Sequence, residues 1–385
     1  TDLAGEQIAT AVEKYGPYSY WSARGGGGAY IEWETWGLDY TFGGCNSLAS
    51  GACQCAMPRD FVSTTSVGFN CCVDMDNVDR WVGVVDNAEL DGKRRDDTER
   101  VFVLWGSQPH SSKAAHGGHG LVDARSNLGV KSVVVDPYLT AEAAKADVWL
   151  PVRPGSDCAL MLSWIRYIID QKAYDEPFVK YWTNLPFLIN PDTRLAYRAE
   201  EVWPDYVNPA ADPDDVYDTP AYVCFDARTN TIQPFPFTAP GDSPVDPVVF
   251  ATATVNGKEA KTAGQIYWEE AEPWTLEAAA ETCWLKPEKI QEAIELYINA
   301  DFGGISNGVF SDHQENSSTA PLGALAIDSL LGFVETPLSA FQNHGPASLT
   351  PDRPTVRTGV FSTSFERYGL GWTTGLTKGE NDRLL

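Results

Sequence analysis

The sequence is poor in positive charge. Its 385 residues carry 28 Lys+Arg against 53 Asp+Glu, a net charge of −25. A nucleic-acid binder neutralises phosphates with basic side chains, so the balance argues against that class. It argues equally against docking on an anionic membrane surface. Long apolar runs are missing too. The longest, 322–334, is interrupted by Asp328 and falls short of the roughly 20 residues a membrane-spanning helix needs. No CxxC pair occurs among the eight cysteines, which leaves structural zinc and thioredoxin chemistry without support. Five of them (Cys45, Cys53, Cys55, Cys71 and Cys72) fall between 45 and 72. Buried thiols and disulfides both fit that cluster, and the redox compartment stays open. The phosphate fingerprints GxGxxG and GxxxxGK(S/T) are absent, as is the metalloprotease pattern HExxH.

What is present is the composition of a packed chain. Hydrophobic residues make up 43% and charged residues 21%, as in globular proteins. At roughly 150 residues per domain the length predicts two or three domains. The 13 tryptophans hint at aromatic-lined pockets, although core packing accounts for them equally well. Leu3, Ile8 and Val12 predict a helix over 3–14, closed by Gly16. Short, continuous apolar runs at 101–105, 132–136 and 148–150 read as buried parallel strands. Between and after them, helices are expected over 118–128, over 140–146 with Thr140 as cap, and over 157–171 with Asp157 as cap. Further helices are expected at 287–300 and 321–333. This alternation predicts an α/β fold with a doubly wound, mostly parallel sheet. Residues 185–270 are rich in Pro, Asp and Thr and read as an insertion of loops and short strands. Thr1 is not a methionine, and 378–385 closes no obvious element. The chain is therefore expected to be a piece of a longer protein.

In an open parallel sheet, ligands bind beyond the carboxyl ends of the strands. Three predicted strand ends carry polar, turn-forming residues: Trp105-Gly106-Ser107, Asp136-Pro137 and Pro154-Gly155-Ser156-Asp157. Glycine lets a ligand approach the backbone, and N–H groups at helix starts favour phosphate. A carboxylate there accepts from a ribose hydroxyl or a guanine edge. A nucleotide-like ligand fits this set, and so does the plainer reading of turns and helix caps. His110, His116 and His119 cluster just downstream. They suit a polar loop lining a cleft, with His110 and His116 as candidates for proton transfer. Gly304-Ile305-Ser306-Asn307-Gly308 matches the nucleophile-elbow pattern GxSxG. The elbow needs a strand before it, whereas the preceding residues read as a helix ending near Ala300. A serine hydrolase using Ser306 is therefore kept only as an alternative, to be separated by fluorophosphonate labelling.

Residues 101–183 resemble the molybdopterin oxidoreductase family, also called the dimethyl sulfoxide reductase family. The resemblance is carried by VFVLWGSQPHSS (101–112), SVVVDPYLTAEAAKADVWLPVRPGSDCALMLSWIRYIIDQKAYDEPFV (132–179) and YWT (181–183). The family shows a W-G-S/N strand end, then D-P-x-x-T and A-D-x-W-L-P-x-R-P-G-T-D-x-A-L. Ser156 stands here for the Thr of PGTD. Weaker likeness extends to KYGP (14–17), to PWTLEAAAETCWLKPEKI (273–290) and to 303–346.

The resemblance implies a bis-molybdopterin guanine dinucleotide cofactor holding one Mo or W atom. One guanosine would lie on Trp105, Gly106, Ser107, Asp136, Thr140, Gly155 and Asp157. The second dinucleotide would touch the region of Asn307, Gly308 and Gln314. A protein ligand to the metal would come from the loop at 43–53: Cys45 in one register, Ser50 or its neighbour Ala49 in another, with Ser47 a further alternative. The branch resembled is that of acetylene hydratase, pyrogallol hydroxytransferase and catechol dehydroxylase. The family's N-terminal iron–sulfur segment and C-terminal pterin domain are not found in this chain. The expected layout is a nucleotide-fold domain at 59–270, inserted into a discontinuous α/β domain formed by 1–58 and 271–385. The implied activity is transfer or removal of oxygen or hydroxyl on a small substrate, with aromatic compounds among the candidates. Expected partners are the remaining segments of the enzyme and an iron–sulfur electron-transfer protein, with no nucleic acid and no membrane span. A bacterial periplasm or cell envelope is favoured as location, with the cytoplasm open. The alternative from another class is a non-catalytic fragment that contributes structure to an assembly.

Overall fold

A computed structural model describes residues 2–23, 47–48, 58, 62, 99–112, 119–209, 220–236, 240–308, 310 and 313–333. The chain divides into two compact units: 1–72 with 307–322 and 343–385, and 73–306 with 323–342.

In the first unit, helix α1 (Asp2–Tyr15) forms where the apolar spacing predicts it. Gly16 stops it at φ 85°, its N–H donating to the Val12 carbonyl at 2.8 Å. Two short strands, β1 (Ser22–Ala23) and β2 (Ser47–Leu48), pair in parallel.

The second unit is built on a parallel sheet. Strand β3 (Arg100–Trp105) leads through α2 (Pro109–Ser112) and α3 (His119–Leu128) to β4 (Lys131–Val135) and then β5 (Val148–Leu150). Val103 pairs with Val133, Trp105 with Val135, and Val135 with Leu150. β3 is buried along its whole length, as a strand covered on both faces must be. On one face Phe102, Leu104 and Val134 pack with Leu121 and Ala124 of α3. On the other, the Trp105 ring lies 5.7 Å from Trp164 of helix α4 (Asp157–Asp170). Successive β3 side chains thus serve opposite layers. α4 buries Leu160, Met161, Trp164, Ile165 and Ile168 along one stripe.

Helix α5 (Glu176–Tyr181) leads into the region of 185–270, which forms two small antiparallel sheets beside a short helix, α6 (Ala199–Val202). Strands β6 (Leu188–Ile189), β9 (Thr252–Val255) and β10 (Lys258–Thr262) make one sheet; β7 (Tyr222–Asp226) and β8 (Thr231–Phe235) make the other. Asn256 and Gly257, both at positive φ, close the β9–β10 hairpin. Helices α7 (Ala263–Ala271), α8 (Leu276–Cys283) and α9 (Pro287–Ile298) follow. α7 and α8 pack on α4, and α9 packs on β3 and β5, within the same unit as the sheet.

Four expectations need correction. Residues 302–307 form a strand, β11 (Phe302–Asn307), which the sequence does not announce. Its two glycines and single β-branched residue make a weak strand signal. Asp301 N–H donates to the Glu99 carbonyl at 2.7 Å at one end, and Ser306 Oγ meets Ser107 Oγ at 3.3 Å at the other. β11 therefore runs alongside β3 in the same direction, and the sheet order is β11-β3-β4-β5. The helix expected at 140–146 with Thr140 as cap is only a 3-10 turn (Ala143–Lys145) whose N-cap position is Glu142; Thr140 Oγ1 still accepts from Ala143 N–H at 3.0 Å. Asp157 is the first residue of α4 rather than its cap, because its carboxylate is taken by an indole. The last described helix, α10 (Thr319–Leu330), begins two residues earlier than expected.

Candidate functional site

From β3 the chain adds β4 and then β5 on one side, and β11 returns to the other. The strand order thus reverses between β3 and β11, and a crevice at the carboxyl ends beside such a reversal is where open α/β sheets bind ligands. Ser107 and Ser306 meet there. Gly106 turns the chain out of β3 at φ 57°, its N–H donating to the Val135 carbonyl at 2.8 Å.

Three carboxylates, Asp136, Glu142 and Asp157, lie along the same edge, all less than 5% exposed. Trp105 Nε1 donates to Asp157 Oδ1 at 2.8 Å. As the first residue of α4, Asp157 also sits at the positive end of the helix dipole. Asp136 Oδ1 accepts from Tyr138 N–H at 2.9 Å, and its Oδ2 from Gln108 Nε2 at 3.2 Å. Glu142 Oε1 accepts from His110 N–H at 2.8 Å and faces His110 Nδ1 at 3.0 Å. An ionised carboxylate offers about four acceptor positions, more than the bonds just given for Asp136 and Glu142. Guanine presents two adjacent N–H donors and ribose its hydroxyls, which is the complement these acids require. Gly155, at φ 82°, leaves open space where a side chain would begin, as a closely approaching ligand needs.

The structure brings Trp105, Gly106, Ser107, His110, Asp136, Thr140, Gly155 and Asp157 to the strand ends and loops of one sheet. Gly308 and Gln314 belong to the other unit; Gln314 Nε2 is buried without a hydrogen-bond partner among the described residues. Ser47 lies in β2. Cys45, Ala49, Ser50 and His116 lie outside the described residues. Among the described residues, no group of three His, Cys, Asp or Glu could hold a metal.

Sequence reasoning misses Glu142 and Gln108. Glu142 stands in an alanine-rich run that looks like an exposed helix face, and only the tertiary fold buries it. For Ser306 the GxSxG pattern suggests the wrong role. The residue is 2% exposed, inside β11 rather than on a strand-to-helix elbow, and its hydroxyl partner is Ser107. Asp328, an acid downstream of it in the sequence, is engaged with Tyr297 and the Ile305 N–H. The nucleophile elbow is not formed.

No family model matches the chain. Curated proteins do. A "Putative dimethyl sulfoxide reductase catalytic subunit" of Halobacterium salinarum is 28% identical over 305 residues, which is 79% of this chain and 32% of that protein. Dopamine dehydroxylase of Eggerthella lenta is 41% identical over 93 residues, 24% of this chain and 9% of that one. Acetylene hydratase of Syntrophotalea acetylenica is 48% identical over 78 residues, 20% of this chain and 9% of the relative. Molybdopterin-containing reductases are also among the homologues. The chain spans about a third of the length of the first of these relatives and less of the others. They bear out the resemblance to the dimethyl sulfoxide reductase family carried by residues 101–183.

Proposed function

We propose, with these homologues as premise, that the chain is part of a molybdenum- or tungsten-dependent oxidoreductase and holds one guanine dinucleotide of a bis-molybdopterin cofactor. The observation that carries this reading is the set of buried carboxylates at the carboxyl ends of one parallel sheet, joined to Trp105 and Gln108 and flanked by Gly155. The set fits the group: acceptors without a lysine suit guanine and ribose, and open backbone at Gly155 suits close approach. When bound, the cofactor supplies two-electron redox chemistry at its metal. The protein's share is to bind, to orient and to manage protons. Asp157, fixed by the Trp105 indole, would accept from the base. Asp136, fixed by Gln108, would accept from a sugar hydroxyl. His110, fixed by Glu142, stands on the same edge as a proton-handling group. Within this reading Cys45 is the proposed protein ligand to the metal, with Ser47 and Ser50 as alternatives, and an iron–sulfur cluster belongs to parts of the enzyme outside this chain. A small substrate, aromatic or aliphatic, that gains or loses oxygen or hydroxyl is the proposed class.

The test is elemental analysis for Mo, W and Fe on the natively isolated parent protein, with pterin fluorescence after oxidation. Near-stoichiometric Mo or W together with pterin is expected. A full-length parent with neither metal nor pterin overturns the reading and favours a purely structural fragment.

A further inference from the structure

One group on the carboxyl edge is built more elaborately than a turn requires. Glu142 is a carboxylate whose side chain is 1% exposed, in a chain already carrying a charge of −25. Burying an ionised acid is costly unless it is paired. Its pairing is with His110: Oε1 faces both the backbone N–H, at 2.8 Å, and ring Nδ1, at 3.0 Å. A carboxylate can only accept, so Nδ1 carries the proton of this bond and Nε2 is left as the working nitrogen. The imidazole is 33% exposed, which leaves part of the ring open to a ligand. Glu142 Oε2 is buried and has no hydrogen-bond partner among the described residues. Buried polar atoms are nearly always satisfied, so His110 is the hydrogen-bond partner on which the burial of this acid rests. The pair also ties the loop after β3 to the loop after β4. The Gln108–Asp136 hydrogen bond ties the same two loops a second time.

We infer that His110 and Glu142 form an anion-binding dyad, in which Glu142 is a positioning residue and His110 Nε2 donates to a phosphate oxygen of the bound nucleotide. The inference rests on the nucleotide reading above and assigns its phosphate a partner. With Nδ1 turned to the buried acid, Nε2 points its donor position away from Glu142, and an imidazole carrying a proton on each nitrogen offers a cationic donor on an edge otherwise lined by acids. No lysine or arginine has to be brought to the crevice.

The experiment compares guanosine with guanosine 5′-monophosphate, titrated calorimetrically into the cofactor-free full-length protein near pH 6. Wild type is expected to bind the monophosphate about tenfold more tightly than the nucleoside, the gain typical of one charge-assisted hydrogen bond. His110→Ala should abolish that gain, measured as the ratio of the two affinities within the variant. Glu142→Gln keeps an acceptor for the His110 N–H, so a merely structural role would survive it. It should nevertheless cut the gain at least threefold, with a melting temperature close to wild type. An undiminished gain in both variants overturns the dyad while leaving the nucleotide site standing. Failure of wild type to bind either probe overturns the nucleotide reading and this inference with it.

Discussion

Asp328 shows how much a single residue can hold. Its carboxyl is fully buried, accepting from Tyr297 Oη at 2.6 Å and from Ile305 N–H at 3.2 Å. Burial pushes it up from the ordinary 3.8 to about 7, against the two hydrogen bonds that pull it down. The folded state therefore binds a proton more readily than the unfolded chain between about pH 4 and pH 7. Stability from this group is full below pH 4 and is lost as pH rises through 7. Asp328→Asn removes the charge yet can still accept from Ile305 and donate to Tyr297. The melting temperature of wild type should fall between pH 5 and pH 8, and that of Asp328→Asn should fall distinctly less. Equal slopes in a thermal titration would sink this account. A second residue tests the candidate site itself. Trp105→Phe deletes the donor to the nearly buried Asp157 while keeping an aromatic ring in the core. Losing this hydrogen bond should cost about 1–3 kcal/mol, read from chemical denaturation, and should lower the pterin content of the isolated parent.

Among the elements, glycines give two opposite predictions. At Gly303 in β11, an added Cβ would lie 2.6 Å from Tyr297 and 2.7 Å from Phe333. Gly303→Ala should lower stability by about 1–3 kcal/mol through overpacking. At Gly5 in α1 nothing stands within 4 Å of the added atom. Gly5→Ala should stabilise that helix by about 0.5–1 kcal/mol, visible as increased helical circular dichroism on mild heating. Helices and strands also differ in how legible they are in the sequence. β3, β4 and β5 are readable because a short valine-rich run with no polar face suits a strand covered on both sides. The stripe of α4 is readable because Leu160, Trp164 and Ile168 repeat at helical spacing. β11 is not, because its place depends on a partner some 200 residues away and on aromatic rings that only glycine admits. At the site, Trp105, Asp136 and Asp157 stand out by their position at strand ends. Glu142 does not, because nothing local distinguishes a buried acid from a solvated one. The fold class is therefore written in local pattern, and the pairing of His110 is written only in tertiary contacts.

On the scale of the whole molecule, charge is the dominant feature. A net charge of −25 repels itself most strongly at low ionic strength. The screening length shrinks from about 30 Å at 0.01 M salt to about 3 Å at 1 M. Raising sodium chloride across that range should raise the melting temperature by several degrees; a flat response would show that the acids are already locally compensated. The position of β11 has a temporal consequence. β3, β4 and β5 are complete once residue 150 has been synthesised, but the strand that covers the free side of β3 ends at Asn307. At about 5–20 residues per second, the ribosome delivers it roughly 8–30 s later. Throughout that interval one side of β3 is an unpaired edge of the kind that recruits foreign strands. The order of synthesis thus leaves the sheet open on that side until the last of its four strands emerges.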